Sequence, residues 1–215
     1  MKQLLCYGDS NTWGLIPGTV ERFPWGVRWT SILQEKLREY GINVIEEGLC
    51  GRTTVFDDVY RDNRNGLKTL PLTLETHRTI DAAVIMLGTN DCKSHYKTNA
   101  YRIAKGLEQC VDKILEEVPE ERVLIIAPIF LGEQVWRQEF DPEFDKNSVE
   151  VSKQLYHAYK TVADRKNVAV IAAADYVSPS EIDQEHLDAK GHAVFAEAVF
   201  QALLKHHIIA LEQAS

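Results

Sequence analysis

The sequence lacks the features on which several large classes of protein depend. No apolar run is long enough to cross a bilayer, which argues against a transmembrane helix. No cluster of lysine and arginine offsets the formal net charge of −8, so we expect neither nucleic acid nor an anionic membrane surface as a partner. The chain also lacks the Gly-Lys-Ser/Thr of a phosphate-binding loop and the closely spaced glycines of a dinucleotide-binding turn.

Cysteine is scarce and its spacing is uninformative. The four cysteines, Cys6, Cys50, Cys92 and Cys110, form no C-x-x-C pair and no zinc-like spacing, so we expect free thiols and no metal site. The first residues reach Asp9 before a secretory signal could build its apolar core. Cytoplasmic residence with reduced thiols is therefore the simplest expectation.

Apolar runs typical of buried strands alternate with helix-like segments along the 215 residues. The predicted strands are 3–7, 44–46, 82–87, 123–127 and 168–172, and the predicted helices are 27–40, 100–118, 149–163 and 189–204. This alternation favours an α/β fold in which helices cover both faces of a parallel sheet. The length suits a single domain over residues 1–215.

Two stretches fit no regular element. Residues 52–66 are polar, and residues 128–147 carry four aromatic side chains in a loop-like context: Phe130, Trp136, Phe140 and Phe144. Long loops in compact α/β domains are often functional. The aromatic loop could line a pocket, pack against a second copy of the chain in a homo-oligomer, or fold onto its own core.

Four polar motifs follow predicted strands and so fall on one edge of the predicted sheet. They are Gly8-Asp9-Ser10, residues 48–54, residues 88–91 and residues 183–186. In an open parallel sheet, ligands bind beyond the carboxyl ends of the strands. Unrelated turn signals would be expected at both edges, so the shared placement favours one functional site.

Each motif supplies a part that acyl transfer needs. Ser10 offers a nucleophile, and the imidazole of His186 is a base that titrates near neutral pH. Asp183, three residues before His186, can reach the ring and orient it. The backbone N–H groups of Ser10 and Gly51 and the side-chain amide of Asn90 can stabilise an oxyanion.

Each of these residues also has a common structural explanation. Asp9 and Ser10 can simply cap a helix, and an Asp-x-x-His is usually a surface pair. Asn90 after a strand is often a turn residue, and Gly51 can serve a tight turn. The joint placement of the four motifs, and no single motif, favours catalysis.

At these residues the sequence resembles the GDSL, or SGNH, family of serine hydrolases, whose four blocks match Ser10, Gly51, Asn90 and His186 with Asp183. The resemblance implies a flavodoxin-like three-layer α/β/α sandwich with a five-stranded parallel sheet. It also implies a Ser–His–Asp triad and ester hydrolysis without a cofactor. The chain departs from the family pattern at Asn11, where leucine is named, and at Gln184, where glycine is common.

Residues 12–14, 21–23, 27–30, 45–49, 52–54 and 86–91 are similar to the bacterial arylesterase/acyltransferase branch. The expected function is hydrolysis of small short-acyl or aryl esters through an acyl-enzyme on Ser10, with transfer to alcohols as a further outcome. Trp13 either walls the acyl pocket or packs in the core. Two alternatives stay open: a carbohydrate O-acetylesterase with the same triad, and a flavodoxin-like protein that binds a nucleotide or flavin.

Overall fold

The computed structural model describes residues 2–210 and contains one five-stranded parallel sheet in the order β2-β1-β3-β4-β5. The strands are β1 (Lys2–Gly8), β2 (Ile42–Gly48), β3 (Ala82–Met86), β4 (Val123–Ala127) and β5 (Ala169–Ala172). All five predicted strands are present, with ends shifted by up to two residues. The order reverses between β1 and β3, which is where flavodoxin-like sheets bind their ligands.

Within residues 2–210, six α-helices connect or flank the strands. They are α1 (Ser10–Trp13), α2 (Trp29–Leu37), α3 (Gly66–Thr76), α4 (Ala100–Leu115), α5 (Lys146–Lys166) and α6 (Ala189–Lys205). Four of them correspond to the predicted helices. Short 3₁₀ turns follow α2 and β5, at Arg38–Tyr40 and Ala173–Asp175.

The sheet has a separate apolar core on each face, which makes the three layers expected from the sequence. Alternate residues of β1 point to opposite sides: Leu5 joins the core formed with α3, α4 and α5, whereas Leu4 joins the core formed with α2 and α6. Because both faces are covered, the strands read as nearly continuous apolar runs. The carboxyl edge of the sheet is left for the polar loops.

Helix α3 was not predicted, because its sequence does not show a clear helical spacing of apolar residues. Pro71 lies inside the helix, and three threonines interrupt the apolar spacing of Leu67, Leu70 and Leu74. The Asn65 side chain caps its first turn by accepting a hydrogen bond from the N–H of Lys68. The cap and the Leu spacing were the available signals.

The aromatic loop 128–147 packs largely on its own chain. Val135 and Phe144 are buried in the core beside α4 and α5, while Phe130 is 39% exposed. The backbone N–H of Gly132 donates to the carbonyl of Gln184 at 2.7 Å, which joins the loop to the segment that carries His186. Over residues 2–210, no helix combines the length and apolarity needed to cross a membrane.

Candidate active site

Ser10 lies at the sharp turn between β1 and α1. The carboxylate of Asp9 accepts a hydrogen bond from the N–H of Asn11 at 3.0 Å, so Asp9 caps the short helix. A Cβ at Gly8 would lie 2.1 Å from Oγ1 of Thr12, so only glycine lets the chain turn this tightly. Asp9 therefore does the capping, and the hydroxyl of Ser10 is directed elsewhere.

The side chains of Ser10, His186 and Asp183 form a continuous chain of hydrogen bonds. Nε2 of His186 lies 2.8 Å from Oγ of Ser10, across 176 residues of sequence. Nδ1 of the same ring lies 2.8 Å from Oδ2 of Asp183. Ser10 and His186 are 3% and 7% exposed, so the contact is shielded from bulk water.

Asp183 is held in place by the backbone around it. Its Oδ1 accepts hydrogen bonds from the N–H groups of Glu185 and His186, and its Oδ2 accepts one from Gly18. Burial works against the charge on Asp183, but the hydrogen bonds from His186 and the backbone outweigh it and hold its pKa below the ordinary value. The carboxylate thus stays ionised and fixed beside the ring.

The protonation of His186 depends on the carboxylates around it. Burial lowers its pKa, but the charges of Glu185, Asp183 and Asp9 and the hydrogen bond to Asp183 outweigh burial and raise the pKa to about 9. Only a free imidazole can accept a proton, so the raised pKa shifts the proton-accepting form of His186 toward higher pH.

Asn90 contacts the loop after β2 that carries Gly51. Its Nδ2 donates to the carbonyl of Arg52, the residue after Gly51, at 3.1 Å. Gly51 has φ +84°, and a Cβ there would lie 2.6 Å from the Arg61 guanidinium. The turn therefore requires glycine, which agrees with the structural explanation that Gly51 serves a tight turn.

Two buried contacts fix this loop to neighbouring strands. Arg52 donates from Nη1 to the carbonyl of Gly8 at 2.9 Å, two residues before Ser10. Both carboxylate oxygens of Asp91, just after Asn90, accept from the N–H of Thr54 at 3.0 Å. Burial raises the pKa of Asp91 to about 6, despite these hydrogen bonds. The loops after β1, β2 and β3 are therefore locked together.

Trp13 ends α1 and is half-buried. Its carbonyl accepts a hydrogen bond from Nε of Arg22 at 2.6 Å, and the Arg22 guanidinium lies 5.4 Å from the centre of its ring. The indole thus lies at a partly open position near the site, which is compatible with an acyl-pocket wall.

Sequence reasoning missed two residues beside His186. Asn11 is 3% exposed; its Nδ2 donates to the carbonyl of Glu185 at 3.3 Å and its Oδ1 accepts from the N–H of Leu187 at 2.9 Å. Glu185 is 7% exposed, with Oε1 3.9 Å from Nε2 of His186. The sequence signal for Asn11 was that asparagine stands where the GDSL pattern has leucine. A glutamate next to a histidine gives no sequence signal of burial.

Comparison with known proteins agrees with this geometry. The model of the GDSL-like lipase/acylhydrolase family matches residues 6–194. The chain belongs to that family. This GDSL-family chain is an α/β carboxylic ester hydrolase, because its family and its solved structural neighbours are esterases. A search of curated protein sequences found no match.

Two solved structures are similar to this GDSL-family chain over nearly its whole length. Est24, a carbohydrate acetylesterase from Sinorhizobium meliloti, is 35% identical with a TM-score of 0.86, covering 95% of this chain and 99% of its own. The aryl esterase of M. smegmatis is 30% identical with a TM-score of 0.87, covering 97% and 100%. A lipase/acylhydrolase from Enterococcus faecalis, 19% identical with a TM-score of 0.71 and full coverage of both chains, shares the fold.

Proposed function

We propose that this GDSL-family enzyme hydrolyses small, short-acyl esters, aryl esters among them, through an acyl-enzyme on Ser10. The observation that carries the proposal is the hydrogen-bonded chain from Ser10 through His186 to Asp183, with both contacts at 2.8 Å. A serine hydroxyl is a weak nucleophile until a base takes its proton, and this chain supplies the base and its orienting carboxylate.

In the proposed acylation step, Oγ of Ser10 attacks the ester carbonyl carbon while Nε2 of His186 takes the hydroxyl proton. The carbonyl oxygen becomes an oxyanion, to which the N–H groups of Ser10 and Gly51 and the amide of Asn90 donate. The ester C–O bond then breaks, and His186 returns the proton to the departing alcohol. Asp183 holds the proton on Nδ1 and stabilises the imidazolium throughout.

In the proposed deacylation step, water attacks the acyl carbon of the Ser10 ester and gives one proton to Nε2. The bond between the acyl carbon and Oγ breaks, and Oγ takes the proton back from His186. The products are the free acid and the resting enzyme.

The test is the Ser10→Ala variant assayed beside the wild type, at the same pH, on p-nitrophenyl esters of increasing acyl length. An enzyme that loses the nucleophile of its triad keeps only a small residual activity, so we expect kcat to fall by about 10⁵ or more. The wild type should favour acetyl and propionyl esters and bind a fluorophosphonate covalently at Ser10. Wild-type turnover in the alanine variant would refute the proposal.

Carbohydrate O-acetyl esters are a second candidate substrate class, favoured by the 35% identity to a carbohydrate acetylesterase. The same triad would act, and only the alcohol part of the ester would differ. Comparing acetate release from acetylated saccharides with release from aryl acetates separates the two substrate classes.

A further inference from the structure

A buried carboxylate that accepts no hydrogen bond from the described residues lies at the reacting end of the triad. Glu185 is 7% exposed, yet none of the described residues donates a hydrogen bond to its carboxylate. A buried charged group normally has its hydrogen bonds satisfied, because leaving it unpaired is costly. Its oxygens are not fully enclosed, since the side chain keeps 9% of its surface accessible. A solvent or substrate group can therefore donate a hydrogen bond to this carboxylate.

The backbone of Glu185 is fixed on both sides, which limits where the side chain can reach. Its N–H donates to Oδ1 of Asp183 at 3.1 Å, and its carbonyl accepts from Nδ2 of Asn11 at 3.3 Å. Its Oε1 lies 3.9 Å from Nε2 of His186, the ring nitrogen that faces Ser10. The carboxylate is therefore beside the nitrogen that exchanges the proton.

The other charges around Glu185 leave its carboxylate available. The charged groups that act on it include His186, Asp141, Lys93 and Asp183, and Asp9 is coupled to it as well. The one lysine among them, Lys93, is already paired with Glu143. Burial raises the pKa of Glu185 from its ordinary value, with the charges of His186 and Lys93 opposing that rise.

Resting on the proposed acyl-enzyme, we propose that Glu185 binds the acyl acceptor and selects for one that carries two O–H groups. An attacking oxygen must lie about 3 Å from Nε2. At a separation of 3.9 Å, the same oxygen can also lie about 3 Å from the Glu185 carboxylate. Water gives one proton to Nε2 and keeps its second O–H, which donates to Glu185.

Simple alcohols cannot make both contacts. Ethanol has one O–H, which it gives to Nε2, so it has no O–H left to donate to the Glu185 carboxylate. Ethylene glycol gives one O–H to Nε2 and can donate its second to Glu185. The residue therefore favours hydrolysis over transfer to monohydric alcohols, and it favours diols over monohydric alcohols as acceptors and as leaving groups.

The test is how the acyl-enzyme formed from p-nitrophenyl acetate divides among water, ethanol and ethylene glycol, measured as acetate, ethyl acetate and 2-hydroxyethyl acetate. We expect Glu185→Leu to lower the ratios of acetate and of glycol ester to ethyl acetate by roughly tenfold, the effect of one hydrogen bond to a charged group. Glu185→Gln keeps an accepting oxygen, so its product ratios should lie between those of the wild type and those of Glu185→Leu. After the products formed without enzyme are subtracted, these ratios do not depend on the fraction of folded enzyme, so partial misfolding does not obscure them.

The matched control is Glu181→Gln, at an exposed carboxylate four residues earlier in the same loop. It should leave both ratios at the wild-type values. Wild-type ratios in both Glu185 variants would overturn the role of Glu185, even while Ser10→Ala remained inactive. Full activity of Ser10→Ala would instead refute the acyl-enzyme itself, so the two failures are distinguishable.

Discussion

At the scale of single residues, Asn11 shows how a side chain outside the Ser10–His186–Asp183 hydrogen bonds can hold those residues in position. It lies next to Ser10 in sequence and spans His186 in space, with one hydrogen bond to Glu185 and one to Leu187. These two bonds join the turn that carries Ser10 to the loop that carries His186. The sequence analysis identified this position only as a departure from the family pattern, and gave no sign of the two hydrogen bonds.

Asn11→Leu introduces the leucine of the GDSL pattern and is nevertheless expected to impair the enzyme. Leucine has a similar size but makes neither hydrogen bond, and each buried polar group left unpaired costs about 1–3 kcal/mol. We expect a fall in kcat of about 10- to 100-fold, with KM for p-nitrophenyl acetate nearly unchanged, because the loss lies in alignment of the base. Steady-state kinetics on purified protein measure this.

Asn11→Asp is the informative companion variant. It keeps the oxygen that accepts from Leu187 but removes the donor to Glu185, so it should retain more activity than the leucine variant at matched Tm. Equal kcat in wild type and Asn11→Leu would show that the backbone alone positions His186.

At the scale of elements, β2 and α2 are joined by a buried ionic network. Glu46, near the end of β2, accepts hydrogen bonds from Nε and Nη2 of Arg28 at 3.1 and 2.7 Å and a further one from Thr30. Arg28 is 6% exposed and immediately precedes α2. The network fixes the helix that starts at Trp29 against the edge of the sheet nearest the Gly51 loop.

Glu46→Gln is expected to lower the free energy of unfolding by about 2–4 kcal/mol, since removing one partner leaves the Arg28 charge buried and unpaired. The control is Asp164→Asn on α5, whose ion pair with Lys160 is more than half exposed. That variant should change the free energy by less than about 0.5 kcal/mol. Urea denaturation at pH 7 measures both, and equal small changes would contradict the stated role of the network.

The elements also show how far sequence reasoning reaches. The strands were predictable because a sheet covered on both faces requires unbroken apolar runs, and the shared edge of the polar motifs followed from the parallel order. Helix α3 was not, because Pro71 and its threonines obscure the spacing of its leucines. The burial of Glu185 was not predictable either, because the side chain that holds its backbone, Asn11, is 174 residues away in sequence.

At the scale of the whole molecule, one buried histidine ties stability to pH. His192 lies in α6 with no exposed surface, and its Nδ1 accepts a hydrogen bond from the backbone N–H of Trp29 at 3.3 Å. The edge of the Phe23 ring packs against it, at 5.4 Å between ring centres. Burial lowers the pKa of His192 to about 4, with the charges of His186 and Arg28 adding to the shift.

This shift predicts a specific loss of stability in acid. Between about pH 6.5, the ordinary pKa of histidine, and about pH 4, the unfolded chain binds a proton at His192 that the folded protein does not. The unfolded state is therefore favoured as pH falls through this window, by roughly 3 kcal/mol at its lower end, and the effect is absent above pH 7. His192→Asn keeps an oxygen that accepts from Trp29 but has no titrating ring.

Chemical denaturation of both proteins from pH 8 to pH 4 isolates the contribution of His192, because the other titrating groups, Asp9 and His186 among them, are common to both. The asparagine variant is less stable at pH 8, since the smaller side chain leaves space beside Phe23. Its disadvantage should shrink steadily below pH 6.5. A constant difference across the pH range would mean that the His192 ring accepts its proton as readily in the folded protein as in the unfolded chain.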